Sequence, residues 1–140
     1  MMISFSLLTA CLIAGGVYLL VVDFIWYKLE NIIPALRGFP ESHIENRGVS
    51  WFISCFVIEF IFFVFVPAVV YGWFYSVIPF YGMRGGVSVG LYVYVFGMIP
   101  LAILTMFRIK IPALYMLYLM LGLLIKLIGC MAIIGYLYIL

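Results

Sequence analysis

With 140 residues, 69% of them apolar and only seven basic and five acidic, the chain lacks the polar side chains needed to cover a soluble fold of its size. The net charge is +2, with no basic run long enough to hold nucleic acid by counterion release. A cytoplasmic globular enzyme, a disordered tail and a secreted disulfide scaffold are excluded, and an integral membrane protein remains.

A spanning helix needs about 20 mostly apolar residues, because it rises 1.5 Å per residue through a hydrocarbon layer about 30 Å thick. Four stretches meet that requirement, at about residues 3–27, 51–78, 87–107 and 111–140. None shows the period-two alternation of a membrane β-strand. The expected fold is all-α: a polytopic four-transmembrane-helix bundle forming one membrane domain over residues 1–140.

The first stretch is interrupted only by Asp23, about one turn from its end. Thr9, Gly16 and Asp23 recur every seven residues and share one stripe. The stripe points Asp23 into the bundle, although its depth would also let it reach the membrane interface. Leu8-Thr9-Ala10-Cys11 resembles the box before a lipid-modified cysteine, yet no Lys or Arg precedes it and the apolar run continues to Val22. An uncleaved helix is therefore expected.

Residues 28–50 form the one sizeable connection, mixing acids, bases and apolar residues and broken by Pro34 and Pro40. A short interfacial helix is expected over Leu29 to Arg37, with Trp26, Tyr27 and Trp51 at the headgroups. His43 between Glu41 and Glu45 is the only cluster with a catalytic composition, and it reads more simply as a solvated turn. The string Leu29-Glu30-Asn31-Ile32-Ile33-Pro34 is similar to one in the membrane-associated glutathione transferase and eicosanoid family, whose members are also short four-helix proteins. The match covers six residues and stops at the polar run from Arg37 to Gly48, so no activity is carried over from it.

The second stretch holds Glu59, roughly 12 Å beyond Trp51 at the helical rise. The fourth holds Lys126, some fourteen residues past Pro112, on a face shared with Gly122, Gly129 and Cys130. A charge near the bilayer centre costs at least ~2.5–3.5 kcal/mol, so it faces other helices or water. Glu59 and Lys126 are expected to pair, a long lysine stem covering most of the ~9 Å between their depths. The pair serves either to fix helix register or as a proton or substrate site.

Gly82, Gly86 and Gly90 repeat every four residues and Gly97 follows at seven, the spacing that lets helix backbones touch. The segment 81–86 is expected as a short loop before the third helix. Pro67 and Pro100 interrupt the second and third helices and free the carbonyls of Phe63 and Phe96. Cys11, Cys55 and Cys130 lie inside apolar runs without a CxxC pair, and no metal site, cofactor or catalytic residue is expected.

Orientation follows the short loops. Lys28, Arg37, Arg47, Arg108 and Lys110 fall on one side and Arg84 on the other. The first and third loops are thus expected in the cytoplasm, with both chain ends outside a bacterial inner membrane. The leading expectation is a non-enzymatic subunit or accessory protein that packs against membrane lipids, itself or a larger complex. The alternative is a small oligomeric transporter, proton-coupled or not, using Glu59 and Lys126, with Asp23 in support.

Overall fold

The computed structural model describes residues 4–32 and 48–139. They form four helices: α1 (Phe5–Ile32), α2 (Val49–Phe74), α3 (Gly82–Arg108) and α4 (Ala113–Leu137). Each is long and apolar enough to cross a membrane, and no strand occurs among the described residues. The fold is the all-α four-helix arrangement expected from the sequence.

Three boundaries differ from expectation, each for a local reason. α1 continues past Tyr27 to Ile32. A charged residue at the membrane surface gives a helix no reason to stop, and the Lys28 ammonium sits 5.4 Å from the centre of the Phe24 ring. Leu29 to Ile32 thus extend α1 instead of opening a separate interfacial helix; the remainder of that segment, to Arg37, lies outside the described residues. α2 ends at Phe74, whose carbonyl accepts from the N–H groups of Val77 and Ile78 just ahead of Pro79. α3 starts at Gly82, so most of the expected 81–86 loop is its first turn. Gly82 itself has φ +68°, a left-handed conformation that glycine adopts without strain.

The four helices are not equivalent. α4 packs against each of the other three, α1 and α2 also meet, and α3 packs chiefly on α4. The core follows: Cys11, Leu19, Val64, Cys130 and Ile134 are fully buried, flanked by Phe63, Ala68, Tyr71, Leu127 and Met131. Lipid is as apolar as leucine, so burial alone supplies no drive for helix association, and close packing and interhelical hydrogen bonds must supply it.

Glycines provide the close packing in two ways. At Gly86 an added Cβ would overlap the Met131 carbonyl oxygen, and at Gly135 it would meet the backbone of Gly82 and Gly86. There α3 and α4 touch backbone to backbone. At Gly122 and Gly129 the space is filled by aromatic rings from α1, Trp26 and Tyr18 respectively. On α1, Gly15 and Gly16 receive Val64 and Phe60 of α2 in the same manner.

Tyrosine hydroxyls provide the hydrogen bonds. Tyr18 donates to the Ile125 carbonyl at 3.0 Å, Tyr118 to Trp26 at 3.0 Å, Tyr94 to Met120 at 2.9 Å and Tyr138 to Ala68 at 3.0 Å. Each ties two helices through the second lone pair of a carbonyl already used within its own helix.

The two intramembrane prolines act through a wider turn. In both α2 and α3, twelve residues of regular α-helix are followed by a five-residue π-turn, Ile61–Phe65 and Tyr94–Met98. The N–H of Val66 reaches back to the carbonyl of Ile61, and that of Ile99 to Tyr94, one residue further than in an α-helix. Pro67 and Pro100 come next. A proline ring clashes with the carbonyl four residues earlier, here Phe63 or Phe96, and the wide turn carries that carbonyl aside. Beyond its π-turn α3 draws away from α4, leaving an apolar cleft of about 380 Å³ lined by Tyr94, Ile99, Ala102, Met106, Met116 and Met120, among others.

Candidate functional site

α1 and α4 run antiparallel, and their contact has a readable register. Tyr18 lies against Gly129 and Trp26 against Gly122, while Asp23, between the two rings, faces Lys126, between the two glycines. Trp26 also stacks on Tyr118 of α4, ring centres 4.7 Å apart. Asp23 and Lys126 are therefore held from both ends by large side chains in fitted slots.

The Lys126 ammonium serves two carboxylates. It donates to Glu59 Oε1 at 2.9 Å and Oε2 at 2.8 Å, and it lies 2.7 Å from Asp23 Oδ1. The Asp23 contact is a short, buried ion pair. Asp23 and Lys126 are buried, and Glu59 is 23% exposed. Counted from the span ends on one membrane side, Asp23 lies ~10 Å deep, Glu59 ~15 Å and Lys126 ~20 Å at the helical rise. The lysine stem runs back toward that side to reach both acids.

With all three groups ionised the site has a formal charge of −1. In a medium of low dielectric that imbalance matters more than it would at a surface, because water screens it less. A second cation, or a proton shared between the carboxyl groups, completes the neutralisation. The chemistry offered is cation binding and proton exchange.

A cavity of about 180 Å³ opens on this triad. Asp23, Glu59 and Lys126 line it together with Trp26, Tyr27 and Glu30 of α1, Trp51, Phe52 and Cys55 of α2, and Tyr115 and Leu119 of α4. The lining residues α1 contributes beyond Asp23 lie towards its Ile32 end, and those of α2 and α4 towards their starts. The cavity thus extends from the triad to the membrane side carrying the first and third connections.

The sequence-expected residues fall into three groups. Asp23, Glu59 and Lys126 converge on one point, and Asp23 is a direct partner of the lysine. Gly82, Gly86 and Gly90 face α4, and Gly122 and Gly129 hold rings of α1, whereas a Cβ at Gly97 would meet nothing within 4 Å. His43, Glu41 and Glu45 lie outside the described residues. Sequence reasoning missed the aromatic walls of the cavity. The available signal was the seven-residue stripe Thr9, Gly16, Asp23, which extends to Glu30 and already turns Asp23 inward.

Comparison with known protein families, characterised proteins and solved structures finds no match.

Proposed function

We propose that this small membrane protein is a non-enzymatic cation carrier, working as an oligomer, in which Asp23, Glu59 and Lys126 form the coupling site. One observation carries the reading: two intramembrane carboxylates share one ammonium on the wall of a cavity. A purely structural ion pair is most stable when charge is matched and every acceptor satisfied. Here, with all three groups ionised, one unit of negative charge remains. Such a site exchanges its partners: an arriving cation or proton takes one carboxylate, and Lys126 stays with the other. The loop charges support an orientation with the first and third connections in the cytoplasm, which puts the cavity on the cytoplasmic side.

The test is flux through the purified chain in proteoliposomes, with internal pH followed while a cation gradient is imposed. Wild type should couple the gradient to proton movement, and Glu59→Gln and Asp23→Asn should lower the rate at least tenfold while remaining helical by circular dichroism. Flux no greater than in protein-free vesicles, or unchanged in both variants, rejects the carrier.

A second reading, an accessory subunit in a larger complex, draws on α3. Its span is the least buried of the four, and Gly97 lies on it with open space beyond. Native mass spectrometry of the complex released by mild detergent separates the readings: a homo-oligomer supports the carrier, and co-release with larger unrelated subunits supports the accessory role.

A further inference from the structure

The walls of the cavity narrow the class of cation. Five aromatic side chains, Trp26, Tyr27, Trp51, Phe52 and Tyr115, line about 180 Å³ together with the triad. Several of the rings are tied to one another: Tyr27 lies 6.5 Å from Trp51, and 6.0 Å from Phe52 in an edge-on contact. A hard metal ion takes six or more oxygen ligands, whereas Asp23 and Glu59 are already engaged by an ammonium and Glu30 is the one further carboxylate in the lining. Ring faces suit an organic cation, whose diffuse charge is attracted by the π-systems and whose carbon surface they shield. The volume is below the range of roughly 300–1,000 Å³ typical of sites for drug-sized ligands, so the occupant is small.

We propose that the cavity binds a small organic monocation, an aliphatic amine or a quaternary ammonium, with its charge on Asp23 and Glu59 and its carbon against the aromatic walls. Resting on the carrier reading, this assigns that carrier its substrate class. Binding exchanges one non-covalent partner for another: the incoming cation takes the carboxylate contact that Lys126 yields, at Asp23 or at Glu59.

The experiment is a fluorescence titration of the full chain in detergent with tetramethylammonium. Trp73 is replaced by Phe so that of the three tryptophans only Trp26 and Trp51, both in the cavity wall, report. Sodium and tert-butanol serve as the hard-cation and uncharged controls. A saturable change with tetramethylammonium alone is expected. Asp23→Asn should weaken it at least tenfold. Phe52→Leu, which leaves the triad intact, should weaken it by about 2- to 30-fold, the range of a cation–π contact.

No saturable response, an equal response to either control, or affinity unchanged in both variants overturns the assignment. Binding without flux in proteoliposomes upholds the site and rejects the carrier. Cation-coupled proton flux without tetramethylammonium binding overturns the substrate class and leaves the carrier standing.

Discussion

Tyr18 lies flat on α4 at Gly129, where a methyl group would overlap its ring, and its hydroxyl donates to the carbonyl one turn earlier, at Ile125. That single contact sets the rotation and register of α1 on α4. It thereby places Asp23 at Lys126, so packing and electrostatics have one geometric origin.

Gly129→Ala should displace the Tyr18 ring and cost ~1–3 kcal/mol, the range for overfilling a packed contact. Tyr18→Phe removes only the hydroxyl and should cost ~0.6 kcal/mol, the average for interhelical hydrogen bonds in membranes. Gly97→Ala, with nothing within 4 Å of the new methyl, should gain up to about 1 kcal/mol from helix propensity. Unfolding in mixed detergent micelles measures all three, and a loss at Gly97 matching that at Gly129 would contradict this packing.

Gly86→Ala has less room to relax than Gly129→Ala. Its methyl meets a backbone carbonyl, which cannot rotate aside as a ring can. The α3–α4 contact should open. In a background without Cys11, Cys55 and Cys130, a disulfide between cysteines introduced at Gly90 and Ile128, where an added Cβ at Gly90 lies 3.7 Å from the Ile128 Cα, should form readily in the parent and at least tenfold more slowly in the variant.

Lys126→Met should be the most damaging single change at the triad. It leaves two carboxylates inside the membrane without their cation, and removing one partner of a buried ionic group costs ~3–5 kcal/mol. Adding Asp23→Asn and Glu59→Gln to the same chain should restore most of that loss, because no charge then remains to be stranded. Thermal unfolding of the single and triple variants checks the sign; a triple variant less stable than the single one refutes it.

Tyr71 and Tyr138 touch edge-on, ring centres 5.3 Å apart, and their hydroxyls differ in one respect. That of Tyr138 donates to Ala68, whereas that of Tyr71 is buried without a hydrogen-bond partner among the described residues. Tyr138→Phe should therefore cost ~0.6 kcal/mol. Tyr71→Phe should be neutral or stabilising, since it removes a polar group that burial penalises without compensation. Equal losses in the two variants would mean that Tyr71 has a partner.

The helices were legible in the sequence because lipid solubility is a property of composition, and twenty apolar residues announce themselves. Their ends were less so. Gly82, Gly85 and Gly86 read as a turn by local propensity, yet they are helical, with the α4 backbone lying against Gly82 and Gly86. The charged residues were visible individually, and the Glu59–Lys126 contact followed from depth and reach. The stripe that Asp23 shares with Gly16 turned it into the bundle, but its shallower depth left its contact with Lys126 unread. The roles of Gly122 and Gly129 lay further out of reach. A small residue at a helix interface signals close approach but does not say whether a backbone or an aromatic ring arrives. Only the spacing of Tyr18 and Trp26 on another helix, matched in reverse order, distinguishes the two.

Asp23, Glu59 and Lys126 also have an order in time. A ribosome delivers α1 and α2 with their two acids first, α3 next, and the lysine only in the last helix. α3 has no other substantial packing surface to meet before α4 arrives. Until then the membrane holds two anions without their counter-charge and a helix without its main partner. The final quarter of the chain therefore completes the ionic site and docks the third helix in one step. Truncation within α4 should leave an unassembled set of helices rather than a smaller version of the protein, and quality-control proteases would meet it in that form.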